Sequence, residues 1–148
     1  MSGNTVTLHR VFNAPAERIY RAFLDPDAMV KWFPPNGFTG KVQQLDASVG
    51  GEYKMSFTNL SNGTVHAFGG RYLELIQNEL IVNTDIFDDP NLIGEMKTTV
   101  RFTQVGKLTE VNIVQEGIPE VIPVQDCYLG WQNSLALLGL LVEVEIQE

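Results

Sequence analysis

The sequence predicts an α+β fold: a curved, seven-stranded antiparallel sheet wrapped around one long C-terminal helix, with two short helices after the first strand. Three observations carry this reading. Residues 40–116 alternate at a period of two, interrupted by turn-formers at short intervals. The connections between consecutive strands are too short for a parallel crossover, which needs about a dozen residues or more. The last element, from Pro123 to about Val142, is apolar on nearly all sides.

The elements follow in chain order. Residues 5–12 alternate, with Val6, Leu8 and Arg10 on one face and Thr7, His9 and Val11 on the other. Asn13-Ala14-Pro15 punctuates, with Pro15 at a first helical position. Ala16, Ile19, Tyr20 and Phe23 then recur at three- and four-residue intervals, so residues 15–24 form a short amphipathic helix. Asp25-Pro26 restarts the pattern as a second helix ending near Trp32, and Pro34-Pro35-Asn36-Gly37 stops it. Strands are expected over residues 41–46, 52–58, 66–76, 79–86, 96–104 and 108–116. Between them lie Val49-Gly50-Gly51, Ser61-Asn62-Gly63, Gln77-Asn78, Asp88-Asp89-Pro90-Asn91 and Val105-Gly106-Lys107.

On the last helix Val124, Cys127, Tyr128, Trp131, Leu135, Leu138 and Val142 form one stripe, which Leu137, Leu140 and Leu141 widen. A helix this apolar is wrapped by protein or sits in an interface, and the sheet is the surface available to wrap it. Glu143, Glu145 and Glu148 oppose the helix dipole, so fraying is expected at that end. Because the helix carries more apolar surface than one sheet covers, a homodimer is also expected as a partner state.

The chain has 148 residues, the length of one domain spanning 1–148, and is 44% hydrophobic and 19% charged, a composition that buries a core. Ten Lys and Arg against 18 Asp and Glu give a formal charge of −8. Arg10, Arg18 and Arg21 are the nearest thing to a basic patch and read as solvated surface, so no nucleic-acid partner is expected. Residues 1–10 lack the apolar core of a signal peptide. The longest apolar run, 135–142, is far short of the roughly 18 residues that cross a bilayer, so no membrane span is expected and the placement is cytoplasmic. The single cysteine, Cys127, excludes an intramolecular disulfide.

No catalytic constellation is legible: there is no nucleophile elbow, zinc-protease motif, phosphate loop or dinucleotide glycine pattern. With only His9 and His66, no metal site and no cofactor are expected. Asp85, Asp88, Asp89, Asn91 and Glu95 miss calcium-loop spacing and read as a solvated loop. Cys127 reads as a small apolar filler of the helix stripe and not as a nucleophile with His66 as base. His66 sits among aromatics if Phe68, Gly70 and Tyr72 share its face, and reads as a structural histidine before an acid or base.

The aromatics are more informative, because the expected architecture gathers them around one interior. A void of about 300 Å³ there would cost on the order of 7 kcal/mol if empty, comparable with a domain's whole stability. A cavity that large is therefore wet, occupied or partly collapsed. Thr98 and Gln115 fall on expected inward positions and would orient a ligand.

Several short motifs occur together: Arg10-x-Phe12-x-Ala14-Pro15, Ile19-Tyr20-x-Ala22-Phe23, Asp25-Pro26 and Trp32-Phe33-Pro34-Pro35. Further on come Asp46, Gly50-Gly51, Asn62-Gly63, Gly70-Arg71-Tyr72-Leu73-Glu74 and Gly130-Trp131-x-x-x-Leu135-x-x-Leu138. In this order, across the whole chain, they resemble the helix-grip superfamily of START and Bet v 1-like proteins and polyketide cyclases (SRPBCC). Within it they look most like the branch named for the activator of heat-shock-protein-90 ATPase. The chain departs from that branch at Ser48-Val49, where Arg-Pro is common, and at Cys127, where His is common.

The resemblance implies a binding scaffold, although fold alone does not set function. The leading expectation is binding of a small hydrophobic or aromatic molecule between the sheet and the C-terminal helix. Its lining would be Trp32, Tyr53, Phe57, His66, Phe68, Tyr128 and Trp131. One alternative is a chaperone-associated interaction module, with an exposed apolar patch and no ligand-sized cavity. Another is a cyclase- or hydrolase-like enzyme using His66 with an inward carboxylate such as Asp85.

Overall fold

The computed structural model describes residues 4–148; Met1, Ser2 and Gly3, which belong to the expected domain and its polar leading segment, lie outside the described residues. The elements are β1 (Asn4–Phe12), α1 (Ala16–Leu24), α2 (Pro26–Trp32), β2 (Phe38–Leu45), β3 (Glu52–Asn59), β4 (Val65–Ile76), β5 (Leu80–Phe87), β6 (Met96–Val105), β7 (Leu108–Ile118) and α3 (Val124–Val142). Together they make the α+β, helix-grip arrangement. β2 to β7 form an antiparallel meander, and β1 joins its far edge beside β7, in the order β1-β7-β6-β5-β4-β3-β2.

Alternation in β1 buries Val6, Leu8 and Phe12 while Thr7, His9 and Val11 face out. Arg10 is half-buried, its guanidinium 5.7 Å from the Phe12 ring centre. β2 begins at Phe38, three residues ahead of the expected start at Lys41, because it pairs with β3 out to Asn59. β7 runs past Glu116 to Ile118 by taking Gly117 at φ +76°, where a side chain would meet the Glu95 carbonyl.

Pro15 is the residue before α1 and not its first turn, with extended backbone at ψ 150°. It has no capping side chain; instead Gln104 of β6 reaches over and accepts from the Ala16 amide at 2.9 Å. α2 is capped as its sequence implies: the Asp25 carboxylate accepts from the amides of Asp27 at 2.8 Å and Ala28 at 3.4 Å, with Pro26 at the first position. Asp25→Ala is expected to cost about 1 kcal/mol. Urea unfolding at neutral pH reads this as a lowered midpoint with an unchanged slope, and an unmoved midpoint would refute the cap.

The C-terminal end of α3 departs from expectation. Arg18 of α1 donates to the Val142 carbonyl at 2.7 Å and to the Glu145 carboxylate at 3.0 Å, while Glu143 accepts from the Asn13 amide at 2.8 Å. A cation placed on the last carbonyls offsets the dipole penalty of the glutamates, so the end is held. Arg18 is accordingly a partly buried structural residue and not free surface.

The core lies between the concave face of the sheet and α3, where Phe12, Ile19, Trp32, Ile113, Leu135 and Leu138 are fully buried. Along its length α3 packs on β1, α2 and α1, but makes no comparable contact with β2 to β7. The helix thus stands off one side of the sheet, and that gap is the site. No helix among the described residues is long and apolar enough to cross a membrane.

Candidate functional site: an aromatic cavity with one buried carboxyl

The gap encloses a cavity of about 240 Å³, open to solvent. Its apolar wall comes from Phe23, Met29, Trp32 and Phe33 of the helical layer, Phe57 and Phe68 of β3 and β4, and Ile81, Phe87, Met96 and Val100 of β5 and β6. Edge-to-face pairs stiffen this wall: Phe23 on Trp32 at 4.6 Å, Trp32 on Phe33 at 4.2 Å, and Phe57 on Phe68 at 5.0 Å between ring centres. Trp32 is wholly buried and donates its indole N–H to the Ala22 carbonyl at 2.8 Å. Ser134 closes the helix side by donating to the Phe33 carbonyl at 2.7 Å.

One polar chain crosses this apolar wall. The Trp131 indole of α3 donates to Gln115 Oε1 at 3.1 Å, and the Gln115 amide donates to Thr98 Oγ1 at 3.2 Å. The Thr98 hydroxyl donates in turn to Asp85 Oδ2 at 2.8 Å. On its other oxygen Asp85 accepts from the Tyr53 hydroxyl and from the Asn83 amide, the latter at 3.3 Å. Four strands and the helix therefore converge on a single carboxyl whose remaining accessible surface faces the cavity.

The sheet is built to allow this. β4 and β5 pair at Gly69–Ile86 and again at Tyr72–Asn83, so the ladder is interrupted around Thr84 and Asp85. There the Arg71 amide turns to Thr84 Oγ1 at 3.0 Å, and the Thr84 carbonyl accepts from Asn83 at 3.2 Å and from Tyr53 at 3.3 Å. Gly70 makes room for that carbonyl, since a Cβ on it would collide with the oxygen.

Burial pushes the Asp85 carboxyl up to about 7, with the Thr98 hydroxyl and Gln115 amide pulling it partly back. The site thus holds a group that changes charge near neutrality inside an apolar chamber. Burial also raises the Cys127 thiol, and the Asp126 carboxylate adds to it, so this side chain is a poor thiolate and fits the role of a small wall residue.

Of the seven residues expected to line the cavity, Trp32, Tyr53, Phe57, His66, Phe68 and Trp131 do so. Tyr128 does not: it is 42% exposed and lies outside the lining. One position beyond Cys127 on a 3.6-residue helix is a rotation of roughly 100°, which carries it to the solvent side. His66 is exposed at the rim, its ring 6.1 Å from that of Phe38, and no hydrogen bond or ion pair joins it to Asp85 among the described residues. Thr98 and Gln115 are buried and face the cavity.

Asp85 corrects the reading of 85–95 as one solvated acidic loop. It stands in β5 on the inward face, whereas Asp88 and Asp89 are exposed. The alternation Ile81, Asn83, Asp85, Phe87 carried that signal. Among the described residues no cluster of three or more histidine, cysteine and acidic side chains is placed to hold a metal.

A family model described as Activator of Hsp90 ATPase homolog 1-like protein matches residues 13–143. No curated protein matches the chain. Among solved structures, protein CV1439 from Chromobacterium violaceum is 56% identical, with a TM-score of 0.95 over 96% of this chain and 99% of that one. Ms6760 from Mycobacterium smegmatis is 18% identical, with a TM-score of 0.80 over 97% and 93% of the two chains. CalU16 from Micromonospora echinospora is 16% identical, with a TM-score of 0.67 over 92% and 74%. The last two show likeness of fold alone. With the helix-grip architecture and a family match that spans nearly the whole chain, this protein belongs to the family of activator of Hsp90 ATPase homolog 1-like proteins.

Proposed function

We propose that the protein binds a small, mainly apolar or aromatic molecule in the cavity between the sheet and α3. The observation that supports this most is the cavity itself: about 240 Å³, walled by aromatic and aliphatic side chains, with its few polar groups gathered at Asp85. Left dry, such a volume would cost on the order of 6 kcal/mol. Its size lies just below the roughly 300–1,000 Å³ of sites for drug-sized ligands, so the ligand is small.

2-Naphthol serves as a first probe. At about 100 times its dissociation constant it would add about 2.7 kcal/mol, which is roughly 5–10 °C in the unfolding temperature. Cys127→Trp, which fills the cavity from the α3 side, is expected to abolish that rise. A rise that survives the filled cavity, or no rise with any of a set of naphthalene-sized compounds, would refute the reading.

A chaperone-directed interaction surface is the second reading, and the exposed Leu140 and Ile146 at the C-terminal end favour it. It predicts that Leu140→Glu weakens association with a partner while leaving 2-naphthol binding intact.

A further inference from the structure

We propose that the ligand of this cavity carries a protonated amine on its apolar body, and that the amine pairs with Asp85. The inference rests on the cavity being a ligand site and adds the chemistry of the ligand's head group. The donors of the network run toward Asp85: Trp131 to Gln115, Gln115 to Thr98, Thr98 to the carboxyl, and Tyr53 and Asn83, which also reach the Thr84 carbonyl, to its other oxygen. An ionised carboxylate has about four acceptor positions, and three are filled.

That arrangement suits an anion, yet the anion has no counter-charge. No lysine or arginine lines the cavity, and among the described residues Asp85 is in no ion pair. A buried carboxylate without a cation is costly, and a cation that arrives with a ligand removes the cost while filling the open acceptor position. The lining also includes the aromatic rings of Tyr53, Phe68, Tyr72 and Trp131, a class of side chain that attracts cations. The formal charge of −8 attracts cations from a distance. A ligand carbonyl would instead require Asp85 to be the donor, leaving the converging donors facing a neutral group.

The other titratable groups in the lining are Tyr53 on β3, His66 and Tyr72 on β4, and Cys127 on α3; burial raises the Tyr72 phenol. Of these only His66 gains positive charge as pH falls, which would oppose an amine in the same direction as protonation of Asp85. A variant is therefore needed to separate the two.

The test is calorimetric binding of 2-(1-naphthyl)ethylamine, its neutral counterpart 2-(1-naphthyl)ethanol, and 2-acetonaphthone to the intact protein between pH 5 and 8. With a carboxyl that titrates at about 7, amine affinity is expected to rise roughly a hundredfold across that range while the alcohol stays level. Asp85→Asn is expected to bring amine and alcohol to near parity at pH 8, and any slope that remains in it belongs to His66. If that variant does not fold, His66→Gln decides the matter: a difference in slope between amine and alcohol that persists in it belongs to Asp85, and its loss there would overturn the proposal.

Equal, pH-independent binding of amine and alcohol would overturn the amine proposal and leave the cavity reading standing. Tightest binding of the ketone would overturn it too, making Asp85 a donor. Binding of none of the three would sink both.

Discussion

At pH 8, Asp85→Asn unfolds at a temperature roughly 10 °C above that of the unaltered protein, and most of this gain is gone at pH 4. The reason is linkage. The folded carboxyl titrates at about 7, above its ordinary value of 3.8, so between those two values the folded state holds a proton that the unfolded state has released. Stability therefore falls as pH rises through this window, by about 4 kcal/mol in full, and below it the group contributes nothing.

Asparagine in place of Asp85 removes the titration and keeps the shape. Its carbonyl still accepts from Tyr53 and Asn83, and its amide donates to Thr98. The Thr98 oxygen then accepts from that new amide as well as from the Gln115 amide, and its own hydroxyl hydrogen loses its acceptor. The stranded Thr98 hydrogen costs about 1 kcal/mol at every pH, so the quantity to read is the change in the difference between the two proteins. Other titrating groups cancel in that difference. A difference that stays flat from pH 4 to 8 would mean that the carboxyl is not desolvated.

Gly70→Ala is expected to lower stability by about 3 kcal/mol, a large effect for a single methyl. The added Cβ would collide with the Thr84 carbonyl oxygen, and would lie 2.6 Å from the carbonyl carbon and 3.0 Å from the Tyr53 ring. Two of these three atoms are backbone, so no rotamer change relieves the clash, and β4 must move away from β5. That movement separates Tyr53 from Thr84 and Asp85, the contacts that seat the carboxyl. Chemical denaturation of the variant measures the loss. A change under about 0.5 kcal/mol, the size of an ordinary surface substitution, would show that the strands part without strain and that the interrupted ladder is not held by this glycine.

The two effects explain why fold and site were unequally legible. Strand alternation, Asp25-Pro26 and the apolar last helix are local signals, each readable over a few residues, and they placed the elements to within about three positions. Trp32, Tyr53, Phe57, Phe68 and Trp131 were legible as lining because large aromatics on inward positions have few other places to go. Tyr128 failed because a stripe wide enough to cover most of a helix does not say which edge the protein leaves bare. Arg18 failed because its partner carbonyl at Val142 is more than a hundred residues away.

What the sequence determined by itself is the order and type of the elements and the apolar character of the interior, since periodicity and turn chemistry act within a short stretch of chain. Only the tertiary structure decided that α3 stands off β3–β5, leaving a chamber, and that Asp85 is its polar focus. Asp85 and Asp88 are both aspartates in one short stretch of chain; what separates them is that Asp85 shares the inward face of β5 with Asn83 and Phe87 and meets donors from β3, β6 and β7 there, whereas Asp88 lies past the end of the strand. A charge state near neutrality is a property of that convergence, because desolvation and hydrogen bonding depend on neighbours that the chain brings together only when it folds.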